Sequence, residues 1–547
     1  MRNTFIRTLG ALAFSAMLLP ATTSCVGDLD KQAPDYSANP EVVYRDPAQI
    51  EQVLARLYAT LGVSGQSGPA GQPDISGIDE GFSNYLRQYW SLQEVTTDEA
   101  IIGWNDGNLP ALNRMQWNAD NEFVRALYDR IYYQVALCNE FIRQTTDAKL
   151  SERGITGDAA TRVRTFRAEA RFLRALSYYH AMDMFGGGVF ADETNQVSDR
   201  PQIRSRQQYF DFVESELNAI EGELQAARAV YGRADKGALW TLQTKLYLNA
   251  QEYTGTARWN DAITAARKVL AAGYSLSPRY GDLFRADNDR SAARNEIIFP
   301  ITSDGQRTKT FGGMTFLTHA PVGNRLNDFA RDTFGINGGW AGIRARPNLV
   351  DLFTVGGTIA PDRRALFYTV GQRRQIDTLG QYSNGFAITK FRNITSTGQG
   401  GSDSPQQGGS GDFIDTDFPM FRLADVKLML AEALLRNGGS AAEALQQVND
   451  LRARARAATL SGITVNDILA ERGRELYWEG HRRTDLIRFG RYTAGGSRTT
   501  PGGAEALWPF KNSNSSAGAS TPNTRNLFPV PNTARVANSD IPQNPGY

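Results

Sequence analysis

Histidine and cysteine are almost missing from this sequence: three and two, respectively, in 547 residues. Histidine-based triads and imidazole-rich metal centres therefore have few candidates, and His180, His319 and His481 each fall in a different context. Two cysteines cannot build a disulfide framework. There is no G-x-S-x-G elbow, H-E-x-x-H zinc helix, C-x-x-C pair or phosphate-cradling G-x-x-x-x-G-K-[ST], and no dinucleotide-type G-x-G-x-x-G follows a strand. Asp98 and Glu99 could be imagined as a glycosidase pair, but so could any two of 58 acidic residues. No sequence spacing fixes the ~5 Å or ~6.5–9.5 Å carboxylate separation that such chemistry needs. The expectation is a protein that is not an enzyme and needs no cofactor. An excess of charge of one sign is also lacking: 59 basic against 58 acidic residues leave a net charge of +1, which argues against a nucleic-acid partner.

Long apolar runs are scarce as well. The N-terminal stretch "TLGALAFSAMLLPA", residues 8–21, holds about a dozen apolar residues, short of the ~20 that a membrane-spanning helix needs. With Arg2 and Arg7 ahead of it, it reads as a secretory signal over residues 1–24. Cys25 follows the small residues Thr22, Thr23 and Ser24, as in a bacterial lipobox, although Thr22 stands where leucine is usual. Cys25 is therefore the expected lipidation site, with residues 25–40 as a lipidated tether and a membrane attachment through the lipid. The acidic "VGDLDK" resembles the signals that send such lipoproteins to the outer face of an outer membrane. Cys138, left without a partner, is expected to be a buried, inert thiol.

What the chain has in plenty is helices arriving in pairs. In "RDPAQIEQVLARLYATLG" Asp46 caps, Pro47 opens the first turn, and Ile50, Val53, Leu54, Leu57 and Leu61 make one apolar face. Residues 162–185 repeat Val163, Phe166, Ala170, Leu173 and Leu176 at helical spacing and stop at Gly186–Gly188. A helix is predicted from Ser205 to about Tyr231. Hairpin-like pairs are predicted near 236–251 with 259–272, and near 421–436 with 441–457. Both are close to the spacing of tetratricopeptide repeats. Residues 273–420 change character, with glycine, aromatics and short apolar runs, and the tail after 492 is irregular. The expected fold is mostly α: a tetratricopeptide-like helical-hairpin scaffold with an inserted irregular, loop-rich subdomain. Its divisions are an N-terminal scaffold over 41–272 with a ligand loop near 100–118, the irregular subdomain over 273–420, and a C-terminal hairpin, charged helix and tail over 421–547.

The charged helix, "ERGRELYWEGHRRTDLIRFG", has Thr464 and Asp467 as its cap and many opposite charges three and four apart. It is expected to be a structural network that fastens the helix to the scaffold, with His481 part of it rather than a metal ligand. Together with "FRAEARFLRALSYYHAMDMFGGGVF", "SLQEVTTDEAIIGW" and the closing "LFPVPNTARVANSDIPQNPGY", all in the matching order, it resembles the SusD/RagB family of outer-membrane nutrient-binding lipoproteins of Bacteroidetes. The resemblance covers nearly the whole mature chain. It implies a surface protein on the cell outer membrane, carrying oligosaccharide or polysaccharide to a SusC-like TonB-dependent transporter. A peptide-binding protein of the same architecture and a helical-repeat assembly protein without a small ligand are the alternatives.

A sugar site needs a flat aromatic platform for the C–H face of a pyranose and planar polar groups for its hydroxyl rim. "TTDEAIIGWNDGNLP" has that makeup, with Trp104 in a glycine-flanked loop beside Asn105 and Asp106, and in similar family members a tryptophan in this loop stacks on the glycan. Arg87, in "YLRQYW", is a candidate hydroxyl donor, although Asn-Asp-Gly is also plain turn chemistry and Arg87 also suits a surface ion pair. Trp340, between glycine-rich turns in "FGINGGWAGIRARP", is the candidate second wall. Trp90, Trp117, Trp240, Trp259 and Trp478 lie in periodic contexts and are assigned to packing.

Overall fold

The computed structural model describes residues 40–195, 199–496 and 504–547. The signal sequence, Cys25 and the tether up to residue 39 lie outside the described residues.

Helix α1 (Pro47–Gly62) begins where expected: the Asp46 carboxylate accepts from the Ala48 N–H, and Ile50, Leu54, Leu57 and Leu61 are buried. Next come α2 (Tyr85–Glu94), strand β1 (Ala100–Ile102), α3 (Glu122–Gln144) and α4 (Gly157–Phe185). Helix α4 is buried along almost its whole last half and stops at Gly186, whose φ of 80° suits a residue without a Cβ. Helix α5 (Arg206–Ile220) carries the Ser205–Gln208 capping box. It ends about eleven residues sooner than its apolar pattern suggests, because the chain turns at Glu221 and Gly222 and bends back to the start of α6 (Lys236–Leu248). Helix α7 (Trp259–Ala271) pairs with α6.

In the loop-rich stretch, β2 (Ile297–Ile301), α8 (Gly313–His319) and β3 (Ile343–Ala345) are short and almost wholly buried. Strand β4 (Phe418–Arg422) pairs antiparallel with β2 and leads straight into α9 (Leu423–Arg436), which packs on α10 (Ala441–Arg454) and α7. The helices thus stack side by side, α1 on α4, α3 on α4, α4 on α5, α6 on α7 and α7 on α9, as in a helical-hairpin solenoid. One continuous apolar core runs through helices and loops alike.

The charged stretch is two helices, not one. Helix α11 (Val465–Leu476) has the Thr464–Asp467 capping box. The chain then breaks at Tyr477–His481, with Trp478 at φ 62° and Gly480 at φ 79°, before α12 (Arg482–Arg488). The break matters because it turns charges inward that a straight helix would have paired along its own surface. Glu475 meets Arg422 at 2.7 Å and also bonds Arg454, while Glu479 meets Arg422 and, at 2.7 Å, Lys390. Arg488 grips Glu432 and Asp485, and Arg482 grips Asp98. His481 stands 3.2 Å from the Lys245 ammonium. These groups fasten α11 and α12 to β4, α6, α9, α10 and the loop ahead of β1, which is the structural network anticipated. Among the described residues no cluster of histidine, cysteine, aspartate or glutamate is placed to hold a metal ion, and no helix is long and apolar enough to cross a membrane.

Candidate functional site

The pairing of β1 with β3 builds the site. Ala100, Ile101 and Ile102 lie opposite Ala345, Arg344 and Ile343, and the ladder continues with the Gly103 N–H donating to the Gly342 carbonyl at 2.8 Å. Beyond it the two chains diverge as loops, one carrying Trp104 and the other Trp340. The Trp104 indole N–H donates to the Trp340 carbonyl at 3.1 Å, across 236 residues of sequence. The two rings stand 6.3 Å apart at 44°, a tilted pair rather than a stack. Gly342 makes this possible: a Cβ there would lie 2.3 Å from the Trp104 ring.

Helix α8 is the support beneath both rings. Its Phe316 meets the Trp104 ring edge-on at 6.1 Å and lies 4.3 Å under the Arg87 guanidinium. Its His319 stacks on Trp340 at 4.9 Å and 22°, and each imidazole nitrogen faces a backbone carbonyl, of Gly338 and of Asp412. Asn84 ties this support to its neighbours. Its side-chain oxygen accepts from the Arg87 N–H, capping α2, and from the Gly313 N–H, while its amide donates to the Gly62 carbonyl at the end of α1. The half-buried rings and guanidinium are thereby held in position on a buried support before any ligand arrives.

These groups face a cavity of about 460 Å³ lined by Arg87, Trp104, Asp106 and Trp340 together with Asp79, Glu80, Phe311 and the Pro69–Ala70 turn. Four of the five residues singled out for glycan contact therefore share one wall, although Arg87, Trp104 and Trp340 come from three separate parts of the chain. Asn105 is exposed on the same turn, outside the lining. Arg87 donates to the Gly81 carbonyl at 3.2 Å. Burial lowers its pKa to about 10 against the opposing pull of Asp79 and Asp106, so it stays a cation at neutral pH.

Sequence reasoning missed Asp79, Glu80 and Phe311. Phe311 is 37% exposed at the mouth of the cavity. Its only signal was its place in a glycine-rich run, "TFGGMTF". Nothing in the sequence marked α8 as the platform.

A second cavity of about 450 Å³ lies between α1 and residues 230–233. Its polar groups are already committed: the Tyr58 hydroxyl to Glu169 and the Ala234 N–H, Arg233 to Glu169 and Glu51, the Tyr231 hydroxyl to Asp417. It therefore leaves few free polar groups for a hydroxyl-rich ligand.

The SusD family profile matches residues 361–547. Over the full length of both chains, this sequence is 33% identical to the starch-binding protein SusD of Bacteroides thetaiotaomicron. It is 23% identical to a SusD-like protein of Bacteroides ovatus, covering 87% of this chain and 83% of that one. In fold it is similar to a laminarin-binding SusD-like protein, with a TM-score of 0.67 at 21% identity, covering 91% of this chain and 99% of that one. It is similar also to surface glycan-binding protein A from Bacteroides thetaiotaomicron, with a TM-score of 0.68 at 18% identity, covering 92% and 100%. A full-length relative one-third identical, the profile over the C-terminal part and the shared fold together make this chain a member of the SusD family.

Proposed function

We propose that this protein is a glycan-binding lipoprotein of the outer membrane that holds oligosaccharide or polysaccharide in the Trp104–Trp340 groove and delivers it to a SusC-like TonB-dependent transporter. The observation that carries the reading is the meeting of Trp104 and Trp340, with Arg87 and Asp106 at the rim, around one cavity. Each indole presents a flat apolar face to the C–H side of a pyranose, while Arg87 donates to hydroxyl oxygens and Asp106 accepts from hydroxyl protons. In this reading Asn105, exposed on the same turn, contacts a sugar unit beyond the lining. The sugar-binding names of its relatives, starch-binding and laminarin-binding, support the same reading. In this reading the body is tethered through acylated Cys25, and uptake energy comes from the transporter, so the protein needs only to bind and release.

The test is retention in native gels cast with polysaccharide. Interface tryptophans commonly contribute ~2 kcal/mol or more, so Trp104→Ala should weaken binding roughly thirtyfold. Unchanged retention with an intact fold would remove the groove from the function, and capture of peptides in place of glycans would favour the peptide-binding alternative.

A further inference from the structure

The groove's charge is lopsided. Three carboxylates, Asp79, Glu80 and Asp106, line it, and Arg87 is the one cation among its lining residues. Asp79 and Asp106 are exposed to water, so their charge reaches anything entering. Glu80 is only 9% exposed, and its Oε2 meets no hydrogen-bond donor among the described residues. The Arg87 guanidinium is the one counter-charge to Asp79 and Asp106 among those lining residues, and it also lies over the Phe316 face and donates to the Gly81 carbonyl.

Resting on the glycan-binding reading above, we infer that this site selects neutral glycans and turns away uronate-bearing or sulfated ones. Hydroxyl groups satisfy carboxylate acceptors without adding charge. An anionic sugar unit would bring a further negative charge into a groove whose lining carboxyl groups outnumber its one guanidinium by two. At ~7 Å in water each unit-charge pair is worth about a threefold factor in affinity, so the net excess of two amounts to roughly tenfold against an anionic ligand. The effect is electrostatic and so must fade with salt: the Debye length falls from ~30 Å at about 10 mM to ~3 Å at about 1 M.

The experiment uses the full mature body and native gels or titrations with soluble starch and laminarin as neutral probes, alginate and polygalacturonate as anionic ones. The expected result is Trp104-dependent retention by a neutral probe, anionic probes about tenfold weaker at low salt, and a narrower gap at high salt and in Asp79→Asn and Asp106→Asn. Because those two residues line the groove, the quantity read is the ratio between probes, not the affinity for either alone. Anionic binding equal to or tighter than neutral at low salt would overturn the inference and point to Arg87 clamping a carboxylate. So would a gap indifferent to salt and to both neutralised variants. Retention by none of the probes, or retention that ignores Trp104→Ala, would instead sink the glycan-binding reading on which the inference stands.

Discussion

Glu475 shows what the chain asks of single residues. Its carboxylate bonds Arg422, Arg454 and Arg364, all buried. Burial alone would raise its pKa, but the three guanidinium groups overcome that and hold it well below the usual carboxylate range. Glu475→Ala would leave three cations without a common counter-ion, and removing one partner from a buried ion pair costs ~3–5 kcal/mol. Urea unfolding should show that loss. A change below ~1 kcal/mol would mean that the network is looser than its geometry. Glu94 and Glu99 behave in the opposite sense. Both are buried beside the Trp478 turn, Glu94 accepting from the Gly480 and His481 N–H groups, and its second oxygen meets no N–H or O–H donor. The Glu99 carboxyl is close enough to disfavour a second negative charge on Glu94. Burial, then mutual repulsion, raises Glu94, while burial against the pull of Arg482 lifts Glu99 to about 7. A carboxyl whose folded pKa is raised stabilises below its unfolded value and loses that contribution as pH climbs through the folded one. Glu99→Gln should therefore gain on the wild type as pH rises from about 5 to 8. Parallel urea midpoints over that range would rule out the raised Glu99 pKa. The network around Glu475 was anticipated from its sequence, but its full burial and the pairing of Glu94 with Glu99 were not, because only the fold determines which charges lose contact with water.

At the scale of elements, the site depends on α8 and on the β1–β3 pairing. Gly342→Ala would place a methyl group against the Trp104 ring. The ring is half-buried and can tilt away, so the fold should survive while the aromatic wall is lost. The expected outcome is an unfolding midpoint close to wild type with glycan affinity reduced about tenfold, ~1.4 kcal/mol. Unaltered affinity would show that the ring's present tilt is not what the ligand uses. The long helices were legible, since their periods, caps and stops are local: Asp46, Ser205 with Gln208, Thr464 with Asp467, Gly186. Helix α8 was not. Seven residues cannot show an amphipathic period, and its stability comes from burial among other elements, not from propensity. The break at Trp478 was missed for the same reason, since the residue takes a left-handed conformation held by tertiary contacts, with its N–H donating to Glu99.

For the whole molecule, acid should be the first threat. Burial pushes the Glu432 carboxyl up, but Arg488 and Arg436 overcome it and hold it at about 2. Burial drives His180 down to about 3. Both groups bind protons more tightly unfolded than folded, so each withdraws stability as pH falls: His180 from about 6.5, Glu432 from about 4.5. Thermal unfolding should show a steep loss below about pH 4. A flat profile down to pH 3 would contradict the buried ion pairs. Cys138 should stay inert, since burial lifts its thiol to about 12. At the other end of the chain, Cys25→Ser should release the protein from membranes while leaving glycan retention intact. Persistent membrane attachment of that variant would refute the lipid anchor.

The sequence by itself determined the helical frame, the burial of Cys138 and the packing role of Trp90, Trp117 and Trp478, because apolar period and capping act within a few residues. It also marked Trp104 and Trp340 as unusual, since each sits among glycines with no periodic partner. What the tertiary structure decided is that these two rings meet, that Phe311, Asp79 and Glu80 join them, and that Phe316 and His319 hold them from below. Contacts across 236 residues are set by strand pairing and core packing. No local pattern encodes either one.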